Sequence, residues 1–118
     1  MVPVPAAPAR YRTRGFDSAE AIAAALARRL GVEARACLCR DDGARQVGRD
    51  RAARLERRAG IRASAQPPLQ VVLVDDVATT GATLAESVAA LRAAGSQAVW
   101  AAVVCRAIGG LGKSVSEV

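Results

Sequence analysis

The chain has 118 residues, 52% of them hydrophobic, and a formal net charge of +6, which describes one domain with apolar surface for a modest core and argues against a second. Lys113 is the only lysine among 17 basic residues, so the arginine excess reads first as the bias of an Arg- and Ala-rich chain, with an anionic ligand or nucleic acid as the functional alternatives. Three cysteines at scattered positions make a poor disulfide framework and point to the reducing cytoplasm, and no apolar run reaches the length of a membrane span.

Val2 to Val4 reads as a short strand running through Pro3, Pro5 and Pro8 into a loop. Asp17 can then cap a helix from about Ser18 to Leu30, with Glu20 answering from the third helical position and Gly31 ending it. Ile22, Leu26 and Leu30 recur every four residues and predict the stripe that faces a sheet. A second strand is expected through Val32 to Cys39. From Arg40 to Pro68 eight arginines face four acids, with Val47, Leu55 and Ile61 as the few large apolar residues; a segment that cannot bury a helical face is expected as an exposed, mobile basic arm at about 40–68.

Val71 to Val74 is continuously apolar and reads as a buried strand. A helix beginning near Thr83 follows, with Leu84, Val88 and Leu91 inward, Glu86 near its start and Gly95 as its C-cap. Ala98 to Cys105 closes the sheet, with Trp100 inside a strand that looks buried. Strand and helix in alternation predict an α/β fold: a three-layer sandwich around a mostly parallel sheet of about four to five strands, in a single domain over 1–118. Open parallel sheets bind ligands beyond the carboxyl ends of their strands, so the loops after Val4, Cys39 and Val74 are expected to converge.

The most informative stretch is Val71 to Thr83, VVLVDDVATTGAT. Its strand delivers two acids to its end, and a tight turn then opens a helix with its amides pointing outward, an arrangement that holds a phosphate. The amides of Ala78, Thr79, Thr80, Gly81, Ala82 and Thr83 and the three threonine hydroxyls can surround a dianion, and Gly81 lets the backbone approach without a Cβ. Asp75 and Asp76 suit neutral hydroxyls or a hard cation rather than a second phosphate, so the ligand should carry a sugar between its charges: a phosphorylated ribose. An ordinary βα turn with a threonine cap would explain Thr83 alone, and two acids at a strand end could merely cap the turn.

Four apolar residues, Asp-Asp, two spacers and Thr-Gly-Ala-Thr resemble the 5-phosphoribosyl-1-pyrophosphate (PRPP) signature of type I phosphoribosyltransferases. Arg14, Gly15 and Phe16 before a helix, and Gln46 followed eight residues later by Arg54, narrow the resemblance to the ComF family of competence-associated, phosphoribosyltransferase-like proteins over Val2 to Arg106. The chain departs from that family in three ways. Cys37 and Cys39 are the only close cysteine pair, so no zinc ribbon is expected. Asp17 and Ser18 stand where the family carries amide side chains, and Arg57 stands where it carries an asparagine.

The resemblance implies that Asp75 and Asp76 hold the ribose hydroxyls and touch the Mg2+ that PRPP brings, and that Arg40, with Arg14 as a second candidate, binds pyrophosphate. It also implies that the basic arm is a lid over pyrophosphate, the plain alternative being a solvated charged helix. The implied reaction transfers the 5-phosphoribosyl group to a nitrogenous acceptor with release of pyrophosphate. With no histidine in the chain, and Thr79 where purine-salvage relatives often carry an acid, no general base can be named. A non-catalytic PRPP or nucleotide binder of the same fold is the second reading. A DNA-uptake factor binding single strands ranks last, because Tyr11, Phe16 and Trp100 are the only aromatics. Phe16 itself reads as a staple at the entry of the first helix. An exposed sheet edge in a shortened relative would favour a homodimer, and no membrane partner is expected.

Overall fold

The computed structural model describes residues 1–7, 12–13, 15–40, 60–78 and 81–106. In chain order these form β1 (Val2–Pro3), α1 (Ser18–Leu30), β2 (Leu38–Arg40), β3 (Ile61–Ala63), β4 (Gln70–Ala78), α2 (Ala82–Ala93) and β5 (Ala98–Arg106). Strands β1, β4 and β5 make a parallel sheet with β4 in the centre, and β2 and β3 pair antiparallel beside it.

The run Val71 to Val74 is apolar on both faces because both faces are covered. Alternate strand residues point to opposite sides, and the register Val2↔Leu73 and Val71↔Val99 puts these four on one face. They join Leu91 and Val88 of α2, with Leu38 and Ile61 of the antiparallel pair, in the main core cluster. Helix α1 packs on β1 and β4 from the other side. Fully burying side chains such as Leu73 and Leu91 stabilises by roughly 1.5–3 kcal/mol each. Among the described residues no helix is long and apolar enough to cross a membrane.

Helix α1 has the bounds expected, Ser18–Leu30, with Asp17 as N-cap and Gly31 closing it in the left-handed conformation, φ 67°. Its buried stripe differs from the expected one: Ala19, Ala23 and Ala27 are covered, Ile22 and Leu26 lie at the flank, and Leu30 is 64% exposed. Alanines spaced by four let the helix axis come close to the sheet, and the Ile22–Leu26–Leu30 row lies about 100° round the helix.

The second expected strand, Val32 to Cys39, forms only as Leu38–Arg40. Residues 32–36 before it are exposed and in no regular element, tied to the start of β1 by bonds from the Met1 amino group to Glu33 O (2.6 Å) and from Arg35 N to Met1 O (2.9 Å). The basic segment expected at 40–68 is described only at Arg40 and over 60–68; there Ile61–Ala63 is β3, held to β2 by the register Leu38↔Ala63. Residues 41–59, with the expected lid, lie outside the described residues.

Strand β4 runs past Val74 to Ala78, because β5 pairs with it as far as Ala78↔Arg106. Trp100, expected to be buried, is 40% exposed: among the described strands β5 lies at the edge of the sheet, and α1 packs on β1 and β4. Gly95 lies one residue beyond the C-cap Ala94, at φ 113°, and Ser96 N reaches back to Leu91 O (3.0 Å). Cys37, fully buried, has its thiol pushed up by desolvation, so it behaves as a small apolar residue.

Candidate functional site

Beyond the carboxyl ends of β1 and β4, where both helices begin, lies a cleft of about 160 Å³. It opens because β1 stops. Val4 N donates to Val74 O (2.8 Å), one residue beyond the end of β1. Pro5 carries no N–H, and Ala6, the next residue of the same parity, donates instead to Asp17 Oδ2 (3.2 Å). The chain therefore leaves the sheet at Pro5, and the edge of β4 beyond Val74 becomes a wall of the cleft.

That wall carries Asp75 and Asp76. Successive strand residues face opposite sides, yet both line the cleft because it wraps the open strand end. Asp75 is 7% exposed, and its Oδ1 accepts from the amide of Asp76 (2.8 Å); Asp76 Oδ1 accepts from the amide of Val77 (2.8 Å). These local bonds orient the carboxylates and offset part of the cost of burying charge.

Ala78, Gly81 and Thr83 line the cleft opposite the loop Val4–Ala7. Gly81 is the N-cap of α2, at φ 81° and ψ −2°; it supplies no side-chain cap bond, and the first turn holds no acidic residue. A Cβ built on Gly81 would meet no described residue within 4 Å, and a helix begins there with its positive end toward the cleft. Beneath it the buried hydroxyl of Ser87 donates to Thr83 O (2.8 Å).

Arg40, the last residue of β2, reaches the same cleft. Its Nη2 donates to Pro5 O (3.2 Å), and its buried Nε–H has no partner among the described residues. A buried donor left without an acceptor costs about 1–3 kcal/mol, so this Nε–H calls for an acceptor from outside the described residues, and a ligand in the cleft could supply one.

The chain after Val4, Arg40 at the end of β2, and the end of β4 with the start of α2 line one cleft, while the loop that follows Arg40 lies outside the described residues. Of the residues singled out from sequence, Asp75, Asp76, Ala78, Gly81, Thr83 and Arg40 line the cleft. Ala82 is exposed at the first position of α2, outside the lining. Thr79, Thr80 and Arg14 lie outside the described residues. Phe16 is 55% exposed on the rim, which departs from its reading as a packed staple. Asp17 was readable as a helix cap, but its bond to Ala6 joins residues eleven apart and left no local signal.

Among the described residues no three His, Cys, Asp or Glu side chains gather as a metal site. Two adjacent carboxylates nevertheless fit Mg2+, which is commonly held by one or two carboxylates while keeping waters and substrate oxygens. Asp75 and Asp76 are the residues that would hold it.

The model of the phosphoribosyl transferase domain family matches residues 17–117, and the chain belongs to that family. No curated protein and no solved structure matches it.

Proposed function

We propose that this member of the phosphoribosyl transferase domain family binds PRPP with Mg2+ in the cleft and transfers its 5-phosphoribosyl group to a nitrogenous acceptor, releasing pyrophosphate. The observation that carries the reading is the meeting of Asp75, Asp76, Gly81, Thr83 and Arg40 around one space of about 160 Å³. The turn from Ala78 to Thr83 takes the 5-phosphate on its amides, where the start of α2 favours negative charge. Asp75 and Asp76 accept from the ribose 2- and 3-hydroxyls. Arg40 presents its guanidinium to the pyrophosphate, with Arg14 as the second cation.

In the reaction the bond from the anomeric carbon to the pyrophosphate oxygen breaks, that oxygen keeps the electron pair, and a nitrogen lone pair forms the new bond as the acceptor loses its proton. Mg2+, when bound, stabilises charge on the departing pyrophosphate. The residues of the chain position the sugar at both ends, so binding energy remote from the anomeric carbon lowers the barrier. A role limited to binding the same ligand is favoured by the absence of any histidine in the chain. The narrower kinship with ComF proteins rests on Arg14-Gly15-Phe16 and on Gln46 and Arg54.

Thermal unfolding with and without Mg2+ and PRPP tests the reading. A ligand confined to the native state at about 100 times its Kd stabilises by about 2.7 kcal/mol, and the stabilisation should vanish in the double variant Asp75→Asn/Asp76→Asn. A wild-type transition that PRPP leaves unmoved, or a shift that survives in the double variant, would refute it. Pyrophosphate release in the presence of an acceptor separates transfer from binding alone.

A further inference from the structure

One peptide group in the wall of the cleft is held at both ends by charged side chains. The carbonyl of Pro5 accepts from Arg40 Nη2 (3.2 Å), and the N–H of Ala6, the other end of that same peptide, donates to Asp17 Oδ2 (3.2 Å). A cation at the oxygen and an anion at the hydrogen follow the peptide's own dipole, and both bonds are charge-assisted. The other carboxylate oxygen, Asp17 Oδ1, accepts from the amide of Glu20 (3.2 Å) in the first turn of α1. A helix cap needs one oxygen; the second is spent on the loop.

We propose that Asp17 is a positioning residue for Arg40. Through the Pro5–Ala6 peptide it sets where the guanidinium lies at the cleft, and by taking the Ala6 N–H it fixes the loop that lines the cleft together with Asp75 and Asp76. Arg40 follows because the carbonyl it rests on cannot move without the N–H that Asp17 holds: the peptide unit is planar and rigid. That Arg40 then faces pyrophosphate rests on the function proposed above; the clamp rests on geometry alone.

Asp17→Asn tests this directly. Asparagine caps helices as well as aspartate does, but it offers a single acceptor oxygen, so one of the two amides must face an NH2 group. Asp17→Ser, a good cap with one oxygen on a shorter side chain, is the second variant should the first fail to fold. Without ligand, amide exchange at Ala6 and the Arg40 Hε resonance are followed by NMR. The expected result in either variant is exchange at Ala6 faster by about tenfold or more and a displaced Arg40 Hε signal, with the centre of α1 still protected. With Mg2+ and inorganic pyrophosphate as the probe, affinity should fall about tenfold, while ribose 5-phosphate binds within about twofold of wild type.

The Arg40→Ala background distinguishes positioning from general structural loss. There Asp17→Asn should weaken pyrophosphate binding by less than about twofold, since the residue it acts through is gone. Unchanged Ala6 exchange with an unmoved Arg40 signal would overturn the clamp, and fully additive losses in the double variant would overturn the coupling. A wild-type protein that binds neither probe would instead defeat the proposed function, and the ligand-free NMR measurement would still decide the clamp.

Discussion

The two helices begin at the same cleft and treat their first turns in opposite ways. Helix α1 closes its own: Asp17, in extended geometry, accepts from Glu20 N, and Glu20 adds a second negative charge. Helix α2 starts from Gly81 in the left-handed conformation, with no side-chain cap bond and no acid in its first turn. Both carry the same partial positive charge at this end. One neutralises it with its own side chains; the other has no acid in its first turn and faces the cleft. In the proposed reading, the carboxylates that the first turn of α2 lacks matter to a phosphate as much as the residues it has.

Gly81→Ala should break the contrast most severely. No described residue would clash with the added methyl group, but a left-handed alanine costs about 1–2 kcal/mol. The new methyl group also stands between the turn and an approaching phosphate, so ribose 5-phosphate affinity should drop at least about tenfold beyond any change explained by unfolding. Isothermal titration alongside denaturant unfolding separates the two effects. Binding that is unaffected would mean that the turn is not the anion site.

Asp17→Ala should act on the other helix. Loss of the cap is expected to destabilise by about 1 kcal/mol, read as a lower denaturant midpoint at an unchanged slope. A midpoint equal to wild type would show that α1 does not depend on its carboxylate.

Ala82→Glu, the mildest change, makes α2 resemble α1. Ala82 is exposed at the first helical position, and an acid there should stabilise the helix by roughly 0.3–1 kcal/mol while weakening ribose 5-phosphate binding. Opposite signs in the two measurements are the diagnostic outcome. Tighter binding alongside greater stability would contradict an anion at this helix start.

Features that depend on neighbours in sequence were legible. The bounds of α1 follow from Asp17, Glu20 and Gly31, all within fifteen residues of chain, and the apolar run of β4 followed by Asp75, Asp76 and Gly81 is a contiguous pattern. Features that depend on what packs where were not. Ile22, Leu26 and Leu30 make the more hydrophobic row of α1, yet close approach to β4 selects the alanine row. Trp100 reads as buried by its apolar neighbours, whereas an edge position leaves it 40% exposed. Ile61–Ala63, too short to signal a strand, becomes one because β2 offers a partner.

The sequence by itself determined the α/β alternation, the extent of α1 and the residue types at the turn before α2, since propensity, capping and spacing act over a few residues. The tertiary structure alone decided that Arg40 reaches a peptide 35 residues away, that Asp17 holds the other end of it, and that β1 leaves the sheet at Pro5 to open the cleft. Those contacts are set by distances between elements far apart in the chain, where a hydrogen bond requires about 3 Å and no local pattern encodes it.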